Sequence, residues 1–278
     1  MGDMSPLCKA AISGPDAARF VDMLIPRRTD NFAVGQIYYT PWCSDDGKVV
    51  SDGLVYRVDE ASYRFTGDPT CDWFRQKSAD YDVEIADETD DYGILMVQGP
   101  RSQQVVESAS GQGWSELDFS RRADAMIGGV DVELARQGFT GELGWELHHP
   151  MEMQNYLFDR LMEAGEAHGL KPVGARAQNW LRQEKSYRAF GTDLGRDATP
   201  LEAGLDRFVD LSKDFHGKDA MEAAGATEIE QPERDHPEPA PEAQDRPASG
   251  GGRSRRSRTA GRILRRGGTI QPRPDLPS

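Results

Sequence analysis

The sequence predicts an α+β fold, and three observations support that prediction. A short apolar run followed by Gly-Pro and a helix-like pattern occurs twice, over residues 7–24 and again over residues 94–106. Residues 35–58 contain two β-branched and aromatic runs around an Asp-Asp-Gly turn, which is typical of a β-hairpin. Residues 151–168 place apolar side chains at helical spacing. Strands and helices that follow one another in this way indicate an α+β domain.

The first repeated unit begins with an apolar run over residues 7–12, which predicts a strand. Pro15 suits the first turn of the helix that follows, and Ser13 or Gly14 is expected to cap that helix. The apolar side of the helix consists of Phe20, Val21 and Leu24.

The hairpin carries an acidic residue in the middle of its second strand. Asp45–Gly47 forms the predicted turn, and Asp52 interrupts the apolar, β-branched return strand. A carboxylate at such a position either faces solvent on an edge strand or faces a cavity, and the pattern fits both interpretations equally. Residues 61–66 predict a further strand, and a helix is expected to begin at Cys71.

The second half of the chain contains two predicted helices. Residues 151–168 form an amphipathic helix that Gly169 ends, and residues 174–185 form another. His148 and His149 are expected near a strand end, and no spacing of acidic or histidine partners indicates a metal site there. The apolar stripe of the longer helix consists of Tyr156, Leu157, Leu161 and Met162.

Composition and charge restrict the class of protein. The 278 residues are 37% hydrophobic and carry a net charge of −14, which argues against nucleic acid or an anionic membrane as the main partner. Lysine is scarce, with 7 against 26 arginines, and acidic residues number 47. An acidic, lysine-poor surface predicts a protein adapted to high salt, where self-repulsion is screened.

Cysteine usage and hydropathy predict a soluble cytoplasmic protein. The three cysteines lack any CxxC pairing, so neither a disulfide framework nor a zinc site is indicated. An apolar run of 18 residues is absent from the sequence, and the N-terminus lacks the apolar region of a signal peptide.

The composition changes abruptly near residue 221. Residues 222–278 hold 8 of the 17 prolines and 10 of the 26 arginines, and they contain no lysine, valine or aromatic residue. Such a segment buries too little apolar surface to offset ordering entropy, so we expect a folded domain over residues 1–221 and a disordered tail beyond it. An Arg-rich tail suits contact with RNA or DNA, but the abrupt change resembles out-of-frame translation of GC-rich DNA more closely.

A glycine-rich turn over residues 136–150 is the strongest candidate for a ligand site. Three glycines alternate with Glu142 and Glu146, and Phe139 and Trp145 flank them. Glycines at this density allow tight turns and close approach of the backbone to a ligand. A carboxylate fixed on a strand beside an aromatic residue suits a flat heterocycle with N–H donors. Taken alone, however, the spacing favours an ordinary β-turn with solvated glutamates.

Four stretches at consistent spacing resemble the glycine-cleavage T-protein (aminomethyltransferase) family, and most closely the folate-binding domain of dimethylglycine and sarcosine dehydrogenases. The resemblance spans residues 3–221. The stretches are Asp3-Met-Ser-Pro with Ile12-Ser-Gly-Pro-Asp-Ala, Tyr39 through Asp52 and Val55, Gly138-Phe-Thr-Gly-Glu-Leu-Gly-Trp-Glu, and Leu181-Arg-Gln-Glu-Lys with Thr199-Pro-Leu-Glu-Ala-Gly-Leu and Asp214-Phe-His-Gly-Lys-Asp.

The resemblance implies a ring of subdomains around a central tetrahydrofolate pocket. Glu146 falls on the family's pterin-binding glutamate, whose carboxylate accepts the N–H donors of the pterin ring. Asp52 falls on the catalytic aspartate that positions or electrostatically supports the folate amine. Tyr39, Val55 and Phe139 match other cofactor-binding positions. The resemblance implies no metal.

The chain departs from the family pattern in several places. Phe139 stands where the family usually has tyrosine, and a folate-contacting arginine of T-proteins falls on Gln178, with Arg176 two residues away. The dehydrogenase-type relatives also lack that arginine. The family's first several dozen residues have no counterpart here, and the tail stands where a small C-terminal β-barrel is expected. The chain is therefore expected to be a fragment, truncated at both ends.

The leading functional hypothesis is a tetrahydrofolate-dependent transferase that moves an aminomethyl, methylene or methyl group. Its donor would be a methylated amine, an aminomethyl carrier or a methyl ether or thioether, with a separate carrier protein or flavoenzyme as a further partner. The alternatives are a demethylase of the same superfamily and a catalytically inactive or regulatory folate-binding fragment. A folate-binding iron–sulfur maintenance protein fits less well, because the turn lacks that group's cysteine.

Overall fold

The computed structural model describes residues 1–68 and 71–224, whose strands form two antiparallel sheets. The strands are β1 (Gly2–Asp3), β2 (Cys8–Ser13), β3 (Ile37–Cys43), β4 (Val49–Asp59), β5 (Ser62–Gly67), β6 (Glu84–Asp87), β7 (Tyr92–Gln98), β8 (Arg122–Ile127), β9 (Val130–Ala135) and β10 (Gly144–Pro150). The helices are α1 (Ala17–Leu24), α2 (Cys71–Lys77), α3 (Ser102–Ser110), α4 (Gln154–Gly165), α5 (Ala175–Glu184) and α6 (Lys218–Ala224). The predicted α+β class is confirmed.

Each sheet has five strands. Sheet I has the order β1-β7-β10-β9-β8, and sheet II has the order β3-β4-β5-β2-β6. Every strand pair in both sheets is antiparallel. Because side chains alternate across a strand, each sheet has an outer face toward helices and an inner face toward the other sheet.

The outer faces bury the two main apolar cores. Phe20 of α1 and Phe74 of α2 pack against Trp42 and Phe65 on the outer face of sheet II. On the outer face of sheet I the buried core combines side chains of α3 and α4 with strand residues. This second core includes Val105, Val106, Leu157, Leu161, Trp145 and Leu147. The layer order is therefore helix, sheet, sheet, helix.

The inner faces meet across a gap that holds both apolar and charged side chains. Ile37, Tyr56 and Ala135 form a small buried cluster there. Arg64 of β5 lies across from Glu133 of β9, with 3.5 Å between Nη1 and Oε1. Charged groups this well buried require partners, and the two sheets supply them to each other.

Both strand–Gly-Pro–helix units are confirmed, as β2 with α1 and as β7 with α3. Gly14 and Gly99 have φ values of +126° and +122°, a region that L-residues with side chains rarely adopt. A Cβ atom on Gly14 would also lie 2.7 Å from the carbonyl oxygen of Asp82. The turn that precedes α1 therefore requires glycine.

The predicted capping of α1 is wrong, because neither Ser13 nor Gly14 occupies the N-cap. Asp16 takes that position, and its side chain makes no capping hydrogen bond. Its carboxylate instead accepts hydrogen bonds of 3.0 Å from Arg19 and from the backbone N–H of Asp82. The carboxylate therefore binds Arg19 of the same helix and a backbone N–H of a later segment, and not the first turn of α1.

The apolar stripe of α4 is confirmed at Leu157 and Leu161, which are fully buried, and wrong at Tyr156. Tyr156 is 43% exposed, and its hydroxyl donates a 2.9 Å hydrogen bond to the carbonyl of Gly128. The phenol thus satisfies its polar end at the β8–β9 turn. Gly169, with a φ of +75°, ends the helical segment as predicted.

Helix α6 includes residues 222–224, three positions beyond the predicted domain boundary. The rest of the predicted tail lies outside the described residues. Cys8, Cys43 and Cys71 are free thiols. Among the described helices, none combines the length and the apolar character that crossing a lipid bilayer requires.

Candidate functional site

Asp52 lies in the middle of β4, on the inner face of sheet II. Strand β4 is paired on both sides, with β3 and with β5, so the edge-strand interpretation of this residue is wrong. Asp52 shares its face with Leu54 and Tyr56, which lie at the same parity along the strand. The Tyr39 hydroxyl donates a 2.5 Å hydrogen bond to Oδ2 of Asp52. The carboxylate is therefore held in one orientation on the inner face of sheet II, where Tyr39 packs against Phe208.

The environment changes the ionisation of this pair. Burial raises the pKa of Asp52 to about 6, with a smaller rise from nearby Asp68, while the hydrogen bond from Tyr39 acts in the opposite direction. Burial also raises the pKa of the Tyr39 phenol, and the Asp52 charge adds to that rise. At pH 7 Asp52 is mostly ionised and Tyr39 stays protonated as its donor.

Glu146 lies on β10, at the centre of sheet I, and faces the same gap from the other side. It is 8% exposed, whereas its neighbours Trp145 and Leu147 point into the outer core. The Tyr56 hydroxyl donates a 3.0 Å hydrogen bond to Oε2. Among the described residues this is the one hydrogen bond that the carboxylate accepts, so most of its acceptor positions remain free.

Tyr56 connects the two acidic residues. It lies four positions after Asp52 on the same face of β4, a separation of roughly 13 Å between Cα atoms at the usual rise of a strand. Its hydroxyl contacts Glu146 from the facing sheet. The structure therefore places Asp52 and Glu146, which are far apart in the sequence, on the inner faces of the two sheets, with Tyr56 as the link between them.

The sequence analysis missed Tyr56 and His148 as parts of this gap. His148 is 1% exposed, and neither of its ring nitrogens has a hydrogen-bond partner within the described part of the chain. Its Nε2 lies 3.8 Å from Oε2 of Glu146, and its ring packs edge-on to Tyr56 with 5.0 Å between centroids. The available signal was the two-residue spacing from Glu146, which places both side chains on one face of a strand.

The glycine-rich turn packs against a glutamine of β7. Gly138 and Gly144 both lie against the side chain of Gln98, where a Cβ atom on Gly144 would come within 2.6 Å of it. Thr140 donates a 2.8 Å hydrogen bond to Oε1 of the same glutamine. These glycines therefore allow the turn to approach the inner face closely, and Phe139 lies half-buried between Gly138 and Thr140.

Glu142 lies apart from the gap. Its side chain is exposed and forms a 3.2 Å ion pair with Lys185, whose stem lies against Gly141. Gly141 has a φ of +70°, as the tight turn requires. Of the two glutamates in the turn, only Glu146 is placed to contact a ligand between the sheets.

The position of Val55 differs from the expectation that it binds the cofactor. It is fully buried in the outer core of sheet II, with Phe20 and Trp42. Because it lies three positions from Asp52 on one strand, its side chain points to the opposite face. The Val55 side chain therefore does not line the face that carries Asp52.

The polar residues of helix α5 lie in different environments. Gln178 is buried and donates a 3.2 Å hydrogen bond to Sδ of Met4. Arg176 is exposed, and Arg182 is buried in an ion pair with Asp193. In residues 1–68 and 71–224, no cluster of three or more histidine, cysteine or acidic side chains suits a metal ion.

Two surface clefts, of about 320 and 410 Å³, lie outside the gap. Neither is lined by Asp52 or Glu146. The smaller one is nevertheless adjacent, because its wall includes Phe208, whose ring packs edge-on against Tyr39 with 4.8 Å between centroids.

The chain is similar to proteins of known family. The model of the GCVT N-terminal domain matches residues 1–213. Aminomethyltransferases from Natranaerobius thermophilus and Alkaliphilus oremlandii are 32% and 34% identical to the chain over 227 and 226 residues, which is 79% of the chain in each case. The chain spans 62% and 61% of the length of these two relatives.

A solved structure has the same fold. The crystal structure of the glycine cleavage system aminomethyltransferase T from Bartonella henselae superposes with a TM-score of 0.72 at 23% identity, covering 80% of this chain and 62% of that one. The resemblance inferred from the four sequence stretches is confirmed. With more than three quarters of its residues matched by one family model, the chain belongs to the GCVT N-terminal domain family.

Proposed function

We propose that this protein is a tetrahydrofolate-dependent one-carbon transferase of the aminomethyltransferase type. The observation that most supports the proposal is that Asp52 and Glu146 lie on the inner faces of different sheets and are linked through Tyr56. A carboxylate at each end of a gap suits a ligand with N–H donors at one end and a reactive amine farther along. Tetrahydrofolate has this arrangement, with donors on its pterin ring and secondary amines toward its middle.

The residues of the gap fit this ligand. Glu146 has acceptor positions left over after its hydrogen bond with Tyr56, and the pterin N–H groups would occupy them. His148 has unpaired nitrogens beside the same carboxylate, in a place where buried polar atoms normally have partners. Tyr39 and Phe139 would line the gap, the first beside Asp52 and the second in the glycine-rich turn.

The proposed chemistry depends on Asp52. When bound, tetrahydrofolate supplies the amine that accepts the one-carbon unit. Asp52 would oppose the positive charge that develops on that amine as it bonds to the transferred carbon, and would then accept the proton that the amine releases. The heteroatom of the donor would keep the electron pair of its broken bond to that carbon. The effect of the Asp52 charge is large because the carboxylate is mostly buried and is oriented by Tyr39 before the reaction.

The name of the relatives supports an aminomethyl group as the unit transferred. The donor in this proposal is a small molecule or an aminomethyl group held on a separate carrier protein. The reaction would take place in the cytoplasm. The net charge of −14 supports the absence of nucleic acid from this scheme. The chain spans only 62% and 61% of the length of these two relatives. That it carries out their complete reaction is therefore proposed here.

Binding of tetrahydrofolate should raise the thermal unfolding temperature of the protein. A ligand that binds only the folded state at one hundred times its Kd stabilises that state by about 2.7 kcal/mol. Differential scanning calorimetry and isothermal titration would measure this effect, with the ligand-free protein in matched buffer as the control. An unchanged unfolding temperature and no binding heat at millimolar tetrahydrofolate would remove the folate proposal.

A further inference from the structure

An arginine-rich cleft lies at the edge of sheet II, beside the proposed folate gap. Its volume is about 320 Å³. Strand β3, which supplies Tyr38 to its wall, is the edge strand of the sheet. Three arginines and two aspartates give the lining a net charge of +1, although the whole chain carries −14. The lining consists of Arg27, Arg28, Asp30, Asn31, Tyr38 and residues 207–210.

Arg27 is a half-buried cation without an acidic partner. Its guanidinium stacks on the Tyr38 ring at 3.8 Å and lies 5.7 Å from the Phe208 ring. Nη1 donates one 3.0 Å hydrogen bond, to the carbonyl oxygen of Tyr39. Within residues 1–68 and 71–224 no carboxylate lies at ion-pair distance, and burial lowers the pKa of this guanidinium. Most of its five N–H donors therefore remain free for a ligand.

The other two arginines of the cleft differ from each other. Arg28 is already neutralised by Asp30 at 2.8 Å and by Asp210 at 3.7 Å. Arg207 is exposed and stacks on Phe208 at 4.5 Å, with no carboxylate partner in the described part of the chain. Arg27 and Arg207 thus flank one aromatic ring and present two unneutralised guanidinium groups to the cleft.

Three contacts connect this pair of arginines to the proposed reaction centre. Asp52 accepts a 2.5 Å hydrogen bond from the Tyr39 hydroxyl. The Tyr39 ring packs against the Phe208 ring with 4.8 Å between centroids, and the Arg207 guanidinium lies 4.5 Å from the Phe208 centroid. Arg27 also holds the backbone of Tyr39 directly. A ligand whose reactive atom lies at Asp52 could therefore extend an anionic end into the cleft.

We propose that Arg27 and Arg207 bind a carboxylate of the ligand that reacts at Asp52. The inference rests on the proposed function, and two ligands could supply the group: the glutamate tail of tetrahydrofolate or a one-carbon donor that is an amino acid. Planar guanidinium groups backed by aromatic rings match a carboxylate with paired, parallel hydrogen bonds. A cation that is partly removed from water gains most from such a partner.

The first experiment compares tetrahydrofolate with a derivative whose two tail carboxylates are converted to amides, by titration calorimetry. If the tail occupies the cleft, the wild type binds the diamide roughly tenfold more weakly, the loss expected for one charge-assisted contact. Arg27→Gln and Arg207→Gln should bind tetrahydrofolate with the affinity that the wild type shows for the diamide. Arg160→Gln removes an equal charge from a distant, exposed pair with Glu163 and should bind as the wild type does.

The second experiment identifies the source of the carboxylate and separates this inference from the folate proposal. Dimethylglycine is compared with dimethylaminoethanol, which lacks the carboxylate, and p-aminobenzoylglutamate presents the folate tail without a pterin. Weaker binding of p-aminobenzoylglutamate by the arginine variants supports the tail, even if Glu146 variants bind tetrahydrofolate normally. Weaker binding of dimethylglycine alone supports the donor. Equal affinities of the wild type and both arginine variants for all these carboxylates would overturn the inference.

Discussion

Replacing Glu146 with alanine is expected to weaken tetrahydrofolate binding by about 100-fold or more, since hydrogen bonds to a charged group contribute about 1.5–3 kcal/mol each. Two pterin N–H groups would lose their acceptor in this variant. Glu146 is 8% exposed, so these hydrogen bonds would form with little competition from solvent. Isothermal titration of the purified variant measures the change directly. Glu146→Gln keeps one acceptor oxygen and should lose about tenfold.

The turn itself offers a matched control. Glu142 is exposed and paired with Lys185, so Glu142→Ala should bind tetrahydrofolate with nearly unchanged affinity. Because Tyr56 donates to Glu146, circular dichroism and thermal unfolding of the Glu146 variants must show a folded protein. Equal affinities of a folded Glu146→Ala and the wild type would remove Glu146 from the pterin site.

Replacing Asp52 with asparagine is expected to spare tetrahydrofolate affinity within about threefold while lowering one-carbon transfer by about 100-fold or more. We expect a loss of transfer rate of this size because the substitution removes a positioned carboxylate, which opposes the developing positive charge in a buried site. Single-turnover transfer from an isotope-labelled aminomethyl carrier or methylated amine separates binding from chemistry. In the wild type the rate should rise as the pH passes about 6, where Asp52 ionises, and level off above it.

The raised pKa of Asp52 also predicts the direction in which this residue's contribution to folding stability changes with pH. The folded-state pKa of Asp52 is raised above that of an unfolded aspartate, so the folded protein binds more protons between about pH 4 and 6. Its contribution to stability is therefore largest at low pH and is lost as the pH rises through 6. Asp52→Asn should be at least as stable as the wild type at pH 8, unlike a misfolded variant. Asp131→Asn, exposed on β9, should change neither rate nor stability.

A transfer rate in Asp52→Asn equal to that of the wild type would remove the catalytic assignment. A loss of binding and transfer together, with normal stability, would instead place Asp52 among the groups that hold the ligand. The two outcomes are distinguishable because affinity and single-turnover rate are measured on the same preparation.

Local patterns were sufficient to predict most elements of this fold. The hairpin around Asp45–Gly47 and helix α4 depend on side-chain alternation, turn residues and helical spacing, all of which lie within a short window of sequence. The exposure of Tyr156 could not be predicted in this way, because it depends on a carbonyl of the β8–β9 turn. The cap of α1 failed for the same reason, since Asp16 is engaged by Asp82 from a later segment.

The acidic residues of the candidate site have a signal in the sequence, and the side chains around them do not. Motif resemblance selected Asp52 and Glu146, but the contact of Tyr56 with Glu146 joins positions 90 residues apart and follows from sheet packing. The error at Val55 was avoidable, because an odd spacing from Asp52 on one strand means opposite faces. The approach of Arg27 to Phe208 has no local signal in the sequence, because the two residues lie in distant segments of the chain.

A crystal structure with tetrahydrofolate bound would show whether the ligand lies between the two sheets. We expect the pterin ring there, with its N–H donors about 3 Å from the Glu146 carboxylate and its reactive amine beside Asp52 and Tyr39. A pterin ring bound elsewhere, for example in the arginine-rich cleft with Glu146 still bonded only to Tyr56, would contradict this expectation.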